Sequence, residues 1–390
     1  MKRIRNSLFV GTVFASLAMA LIASPVLAYP PDPDNAALLY YQGILTLVEL
    51  DEEARDRIRD VARAEVTPDD KVRQDISKCI GAIQFAEAAA QVPECNWGVR
   101  YSQGFEALMP QLAHMKVLTF VLIADARIRA SDGDYKGALE RCLMTGTFAH
   151  HIGDDTLVSY LVSLSVRAMA YKCMQDIIGQ ADNDEELLGW LKNEFATSPA
   201  DTLSPVNPLK TELEIVTNLM QMDNIEKLAR FLADSDEKKM ADIINKADKK
   251  TLKQARRLYS EHIKSALTVF STPMRYEQAH SKLKQLANNF DPNDPASATA
   301  GAFIPALARI LTLKKRAETH ANALKAAIDI YITRAKTGRI PDALPTGLPK
   351  DVLSGKDFQY EKTKDAFILR CRGKDLDKDE IYEYEFKVKK

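Results

Sequence analysis

Glycine and aromatic residues are scarce in this sequence. It contains 16 glycines among 390 residues, and aromatic side chains make up 7% of the chain. A sandwich or barrel of antiparallel strands needs many turns, and its strands are enriched in aromatic and β-branched residues. The composition therefore weighs against an all-β architecture.

The common catalytic sequence motifs are also missing. No HExxH, CxxC, GxSxG or P-loop pattern occurs in the chain. These patterns mark zinc hydrolases, thiol redox sites, serine hydrolases and phosphate-binding loops. We therefore predict no cofactor and lean against an enzyme, while an active site of an unfamiliar kind stays open as an alternative.

The net charge is small. The chain has 53 Lys and Arg against 54 Asp and Glu, which gives a formal net charge of −1. Removing Lys2, Arg3 and Arg5 with an N-terminal signal would change this value to −4. Such a balance offers no general attraction to a polyphosphate backbone, so we predict no nucleic-acid partner.

Long hydrophobic runs are confined to the first 28 residues. This segment starts with three basic residues, continues with an apolar run over 8–22 and ends on Val26-Leu27-Ala28, which is typical of a cleaved secretory signal. Position 29 is Tyr, whereas a lipoprotein anchor needs Cys. We therefore expect a mature chain from Tyr29 onward that is exported to the periplasm or the cell exterior and has no transmembrane span. Association with the cell envelope stays open.

Cysteine is rare as well, with five residues at positions 79, 95, 142, 173 and 371. In an oxidising compartment at least one pair can be joined, and Cys79 with Cys95 is the candidate disulfide. Five extended residues after a helix that ends near position 90 can just bring the chain back to Cys79; two buried free thiols are the alternative. Cys142 and Cys173 are expected to lie about 15 Å out of register in an antiparallel helix pair, as separate core residues.

Apolar stripes with helical spacing fill most of the remaining chain. The organising stretch is 112–179, in which Gly133 can adopt a positive φ and Asp134 can cap the following helix. We predict a mainly α fold, an antiparallel helical hairpin stack with repeat-like character. The predicted helices span 35–50, 52–64, 67–90, 105–130, 134–150, 155–178, 184–195, 209–232, 237–263, 274–289 and 305–336, with a loop at 291–298.

Prolines and a change of pattern divide the chain. A cluster at Pro199, Pro205 and Pro208 interrupts the helices, and alternating apolar and charged residues over 382–386 are typical of half-buried antiparallel strands. We predict a signal peptide at 1–28, an N-terminal helical-stack domain at 29–200 and a second helical region at 201–336. A small C-terminal subdomain with an antiparallel β-meander follows at 337–390.

Residues 133–140, Gly-Asp-Tyr-Lys-Gly-Ala-Leu-Glu, resemble the turn and second-helix start of a tetratricopeptide repeat. Ala126 on the preceding helix is small, as that repeat requires for close helix packing. A partial second copy begins at Tyr276. Cys142 and Thr145 depart from the repeat pattern, and the two copies are not separated by a multiple of about 34 residues. The stretch is therefore repeat-like and not a repeat array.

Two wider resemblances bear on function. The chain has an export signal, an early Tyr29-Pro30-Pro31, the segment Cys95-Asn96-Trp97-Gly98 and the Gly133-Asp134 hairpin. Together they resemble an uncharacterised family of exported helical proteins from planctomycete-type bacteria, which implies no particular activity. The segment from Tyr331 through Gly338-Arg339-Ile340-Pro341 to Phe367 is similar to type II secretion pseudopilin C-termini, in which a helix runs into a β-meander. This likeness implies a role in a secretion or pilus-like assembly, although the chain lacks the pseudopilin's N-terminal hydrophobic helix.

His150 and His151 are weak candidates for metal ligands because Asp154 and Asp155 follow them. Alternatively, the histidines end one helix and one of the aspartates caps the next. Trp97 is either an aromatic residue that stacks on a ligand or a plug between helices.

A second candidate is a basic helix face. Lys246, Lys250, Lys253 and Arg257 follow one another at steps of three and four residues, so they share one side of a helix and form a candidate anion-binding face. A solvated face opposite an apolar one is the alternative.

These patterns favour an exported helical protein that acts by interaction or as a scaffold, with one or more protein partners that the sequence does not name. An enzyme with an unfamiliar active site and an accessory component of a secretion or pilus-like assembly are the two alternatives.

Overall fold

A computed structural model describes residues 32–47, 50–106, 109, 111–181, 183–198, 203–221, 224 and 247–388. Within these ranges the chain is mainly helical and ends in a small three-stranded antiparallel sheet, which confirms the predicted fold class. The helices are α1 (Ala36–Thr46), α2 (Glu52–Ala62), α3 (Asp70–Lys78), α4 (Ile80–Ala90), α5 (Gln111–Ser131), α6 (Tyr135–Ile152), α7 (Leu157–Ile178), α8 (Glu185–Thr197), α9 (Val206–Leu219), α10 (Lys249–Ser271), α11 (Tyr276–Ala287), α12 (Pro295–Gly301) and α13 (Leu307–Thr337). A short 3₁₀ helix at Tyr101–Glu106 precedes α5.

Side-chain caps set the start of eight helices. In each case a side-chain oxygen accepts a hydrogen bond from a backbone N–H two or three residues later, which satisfies a donor that the first helical turn leaves free. The capping residues are Asn35, Asp51, Asp69, Asp134, Thr156, Asp184, Asp248 and Asp294. The caps of α3 and α7 therefore lie at Asp69 and Thr156, within two residues of the predicted helix starts at 67 and 155.

Several predicted helix boundaries differ in the structure. Helix α9 begins at Val206, contains Pro208 in its first turn and ends at Leu219, and α10 continues to Ser271 and does not end at 263. The segment 67–90 is two helices because the backbone of Cys79 leaves helical geometry at φ −92° and ψ 3°. This break allows α3 to pack on α2 while α4 packs on α1. The segment 291–298 is not wholly a loop, since Asp294 caps α12 and Pro295 occupies its first turn. Helix α5 begins at Gln111 and not near 105, and residues 225–246 of two further predicted helices lie outside the described residues.

The turn between α5 and α6 has the predicted glycine conformation and helix cap. Gly133 adopts a φ of 84°, which a residue with a side chain rarely does, and Asp134 accepts from the N–H of Gly137 at 2.9 Å. Ala126 and Ala138 are completely buried, so the two helices approach closely as small residues permit. The wider likeness to a tetratricopeptide repeat stays a resemblance.

The core consists of two clusters of apolar side chains. The first joins α1–α8 to the second half of α13 and the sheet, and the second joins α9–α12 to the first half of α13. Helices α7 and α13 contribute to both clusters, α7 through Leu164 in the second and Val166 in the first. From Asn35 onward the chain forms one compact unit, and the division at 200 and 336 stays a prediction.

The C-terminal sheet has the order β1 (Gln359–Lys362), β2 (Ala366–Arg370) and β3 (Glu383–Lys387). Along β3 the side chains of Tyr384 and Phe386 are buried and the other three are exposed, which is the predicted alternation. The outer edge of β3 is covered by neighbouring helices. Gln175 of α7 donates to the carbonyl of Glu385 at 2.8 Å, and Tyr331 of α13 donates to that of Lys387 at 2.5 Å.

Candidate ligand-binding cleft

A cleft of about 1590 Å³ opens between α7, α13 and β3. It lies where α7 and α13 pass from one core cluster to the other. Apolar side chains form part of its lining, namely Leu161, Leu164, Ala168, Leu313 and Ala317. Six cationic side chains also line it, namely Arg63, Arg127, Lys172, Arg309, Arg316 and Lys387.

Helical spacing explains why these residues share a surface. Leu161, Leu164, Ala168 and Gln175 recur on α7 at intervals that keep them on one side of the helix. The same spacing on α13 places Arg309, Leu313, Arg316 and His320 on one side. Helices α7 and α13 pack on one another. Their two faces therefore meet across the cleft.

His320 forms part of the cleft wall and is held by three neighbours. Its Nε2–H donates to Oε1 of Gln175 at 2.9 Å, and its ring stacks on Tyr384 with the centroids 4.8 Å apart. Tyr171 contacts the ring edge-on at 5.7 Å. Burial, together with the positive charges of Lys172 and Arg316, lowers the pKa of His320 to about 3. The ring is thus neutral at physiological pH and a poor proton acceptor there.

Gln175 connects α7 to both other walls. Its Oε1 accepts from His320 on α13, and its Nε2 donates to Glu385 on β3. Since the side chain is 9% exposed, both hydrogen bonds lie in a largely dehydrated place where they hold the three elements together. The amide therefore positions the cleft walls.

The lining carries an excess of positive charge. Asp176 is shared by Arg127 at 3.0 Å and Lys172 at 2.6 Å. Arg316 is exposed and lies over the ring of Tyr382 at 4.7 Å, and Arg309 is exposed as well. Against the six cations stand three lining carboxylates, those of Asp176, Glu383 and Glu385. The cleft is therefore positive although the chain as a whole is slightly negative.

The two histidines predicted as weak metal ligands occupy different surroundings. Nδ1 of His151 and the Tyr40 hydroxyl share a hydrogen bond of 3.0 Å, and the ring also hydrogen-bonds the backbone of Pro93. Burial and the neighbouring His150 ring lower the pKa of His151 to about 4, although the hydrogen bond to Pro93 acts in the opposite direction. Partners on α1 and at Pro93 thus hold the His151 ring within the protein. Among the described residues no group of three or more His, Cys, Asp or Glu side chains is placed to hold a metal ion.

Trp97 is a plug between helices. It is 5% exposed, its indole N–H donates to the carbonyl of His151 at 2.8 Å, and its ring stacks on Tyr40 at 5.6 Å. Tyr41 in turn donates to the Trp97 carbonyl at 2.9 Å. The indole is thus buried, with a ring face on Tyr40 and its N–H paired, which supports the interpretation as a plug between helices.

The predicted disulfide between Cys79 and Cys95 is not formed, and all five cysteines are free thiols in the structure. Cys79 lies at the start of α4, whereas Cys95 follows its end, beside Ala37 at the start of α1. Glu94 accepts from the N–H of Ala36, which holds this segment at the far end of the α1–α4 pair. The chain therefore does not turn back toward Cys79.

The candidate anion-binding face lies apart from the cleft. Lys250, Lys253 and Arg257 are exposed along α10, and Arg257 reaches Glu261 at 3.9 Å. Lys246 lies outside the described residues. On the opposite side of α10, Leu252, Ala255 and Tyr259 are buried. This pattern is typical of an amphipathic helix with one solvated face.

The sequence patterns did not identify the cleft residues. A signal was available, because Arg309, Arg316 and His320 interrupt the apolar pattern of α13 at helical intervals. Their partners, however, come from α7 and β3, and Gln175 is 145 residues away from His320. Spacing along one helix does not reveal which other element it faces.

None of the helices in the described ranges combines the length and the apolar character needed to span a membrane. No protein-family model, curated protein or solved structure matches the chain.

Proposed function

We propose that this chain is an exported interaction protein whose cleft between α7, α13 and β3 binds an acidic segment of a partner protein. The observation that carries the proposal is the composition of the cleft lining, in which six cationic side chains outnumber three carboxylates and accompany apolar side chains. Cationic side chains attract and orient carboxylates, and apolar side chains contribute affinity by excluding water.

The size of the cleft favours a peptide over a small anion. Small-molecule pockets usually measure about 300 to 1,000 Å³, and the volume here is about 1590 Å³. Leu161, Leu164 and Leu313 offer contacts to apolar side chains, and Arg309 and Arg316 on the neighbouring turns offer contacts to carboxylates. An extended or helical segment of alternating acidic and apolar residues satisfies both.

The state of His320 supports binding over catalysis. Its ring is neutral, hydrogen-bonded to Gln175 and stacked on Tyr384, so it forms a rigid wall and not a general base. An enzyme with an unfamiliar active site and an accessory role in a secretion or pilus-like assembly remain the alternative proposals.

The binding test uses a short fluorescein-labelled peptide of alternating glutamate and leucine, with fluorescence anisotropy as the readout. The double substitution R309E and R316E is expected to raise Kd about tenfold or more, since each reversed charge costs on the order of 1 kcal/mol or more. Higher salt is expected to weaken binding, and a peptide with lysine in place of glutamate is expected not to bind.

The matched control is the double substitution K253E and R257E on the exposed face of α10, which changes the net charge by the same amount. It is expected to leave Kd within about twofold of the unaltered chain, because screening limits the reach of distant charges. An equal effect of both double substitutions would overturn the proposal. So would binding to vesicles of anionic phospholipid without binding to the acidic peptide.

A further inference from the structure

A second pocket adjoins the cleft. It measures about 500 Å³ and lies between α2 and α5. Arg63, which directly follows α2, lines both this α2–α5 pocket and the cleft. Arg127 of α5 also lines the cleft, and it donates to the carbonyl of Ala62 at 3.1 Å, so the end of α2 is held against α5 where the two cavities meet. The binding surface therefore continues past Arg63 into the α2–α5 pocket.

The α2–α5 pocket has the same charge character as the cleft. Four cationic side chains line it, those of Arg55, Arg59, Arg63 and Lys116, together with the carboxylates of Glu52 and Asp56. Asp56 is already paired with Arg59 at 2.6 Å. Arg55 and Lys116 are exposed, so both can reach an incoming carboxylate. The lining is thus positive, as that of the cleft is.

An aromatic ring borders these charges. Phe120 of α5 is 9% exposed, and the guanidinium carbon of Arg63 and Nζ of Lys116 lie 5.7 Å and 6.0 Å from the centroid of its ring. The ring attracts both cations and so keeps them beside it. Leu50 and Ile58 are buried and line the same pocket. The pocket therefore offers contacts to an apolar side chain next to contacts for carboxylates.

The spacing along α2 sets the length of chain that fills both cavities. Arg55 and Arg63 are eight residues apart, which is about 12 Å at 1.5 Å per helical residue. An extended chain covers about 3.3 Å per residue, so four residues span this distance. A segment that leaves the cleft beside Arg63 thus reaches Arg55 with about five further residues.

We propose that the α2–α5 pocket is a second subsite for the acidic partner segment, an inference that rests on the proposed function of the cleft. The occupant is a continuation of that segment by about five residues. Its carboxylates contact Arg55 and Lys116, and an apolar or aromatic side chain contacts Phe120. Because the cleft already holds the segment nearby, the second set of contacts adds affinity at a small cost in entropy.

The test compares peptides of two lengths by fluorescence anisotropy. The short peptide is the labelled one of alternating glutamate and leucine. Two longer peptides carry the extension Glu-Phe-Glu-Leu-Glu at the N-terminal or the C-terminal end, since a segment can enter the cleft in either direction. We expect one of them to bind at least about fivefold more tightly than the short peptide at the same salt concentration.

The double substitution R55E and K116E separates the subsite from a general gain with length. It is expected to abolish the gain of the longer peptide and to leave Kd of the short peptide within about twofold, since Arg55 lies farther from the cleft than a Debye length of about 8 Å. The control K253E and R257E changes the net charge equally and is expected to keep the gain. Circular dichroism checks that each variant is folded.

A photoreactive residue locates the extension on the unaltered chain. Benzoylphenylalanine in place of the phenylalanine of the extension is expected to cross-link to Val117 or Phe120, within the tryptic peptide 117–127. No cross-link at these two residues would overturn the proposal. So would a gain that persists in the R55E and K116E variant.

Two further outcomes separate this inference from the function on which it rests. Failure of the short peptide to bind would overturn the proposed function and the subsite with it. Binding of the short peptide without a gain from either extension would overturn the subsite alone. An unlinked Glu-Phe-Glu-Leu-Glu peptide that binds as tightly as the longer peptide would assign the pocket to a separate ligand, and would likewise overturn the continuation.

Discussion

Nε of Arg141 donates to Oδ2 of Asp125 at 2.7 Å and thereby joins α6 to α5 within the core. The side chains are 4% and 12% exposed, so the pair is nearly buried. Arg129 donates to the same oxygen at 2.9 Å from a position that is 39% exposed. One carboxylate thus holds two guanidinium groups that differ mainly in their access to water, and this difference can be measured.

Replacement of Arg141 by leucine is expected to lower the free energy of unfolding by about 3 kcal/mol, because a largely buried carboxylate loses its buried partner. Replacement of Arg129 by leucine is the control and is expected to cost about 1 kcal/mol or less, as exposed ion pairs do. Urea unfolding followed by circular dichroism measures both values. Equal losses would show that burial does not set the strength of the Asp125 pairs.

A methyl group at Gly179 is expected to destabilise the fold. Its Cβ would lie 2.6 Å from the carbonyl oxygen of Lys387 and 3.1 Å from the hydroxyl of Tyr331, so the end of β3 would have to shift. The variant G179A should lose about 1 to 3 kcal/mol. The control is G189A within α8, where nothing lies within 4 Å and alanine should stabilise the helix by up to about 1 kcal/mol. Urea unfolding gives the two values, and losses of the same size would contradict the close approach at Gly179.

The variant D351N is expected to unfold at a lower temperature. The carboxylate of Asp351 is fully buried and accepts hydrogen bonds from the N–H groups of Leu353, Arg372 and Gly373 and from the hydroxyl of Ser354. An amide has one accepting oxygen, so at least one donor loses its partner at a cost of about 1 to 3 kcal/mol. Differential scanning calorimetry measures the change.

The exposed Asp357 in the same segment provides the control for Asp351. Its substitution D357N removes the same charge, and we expect the Tm to change by less than about 2 °C because no buried donor is left without a partner. A comparable fall in Tm for both variants would indicate that charge, and not the number of accepting oxygens, explains the effect.

Acidification is expected to destabilise the chain through its buried histidines. Burial lowers the pKa of His151 to about 4 and that of His320 to about 3, whereas an unfolded histidine titrates near 6.5. Below pH 6.5 the unfolded chain therefore binds more protons than the folded one, so stability falls as the pH is lowered toward 4. Each ring contributes up to about 1.4 kcal/mol per pH unit in that range.

Urea unfolding at several pH values between 7 and 5 measures this slope. The variant H320F keeps an aromatic ring against Tyr384 but cannot bind a proton, so its stability should depend less steeply on pH than that of the unaltered chain. An identical slope in the variant would mean that His320 binds protons equally well in the folded and unfolded chains.

Much of the fold follows from interactions within a few residues. Gly133 and Asp134 define the hairpin turn as predicted, and the alternation in β3 identifies Tyr384 and Phe386 as buried. In contrast, the sequence did not indicate the break at Cys79, because no proline interrupts 69–90 and the alanine-rich residues after Cys79 favour continuous helix. Only the different packing partners of α3 and α4 account for the change of direction.

The candidate sites likewise depend on contacts between distant segments, which the pattern of one segment does not predict. Trp97 was recognised as a candidate from its loop context, but its plug role depends on Tyr40 and His151, which come from two other helices. The cleft depends on contacts among α7, α13 and β3, none of which is predicted by the pattern of one segment.

The sequence by itself determined the helical class, the helix starts at capping residues and the position of the C-terminal strands, because capping and periodicity act over one or two turns. The tertiary structure alone decided which helix faces meet. His320, Gln175 and Glu385 become neighbours through packing and hydrogen bonds that span the chain. The same packing brings cationic side chains of α7, α13 and β3 together around one cleft.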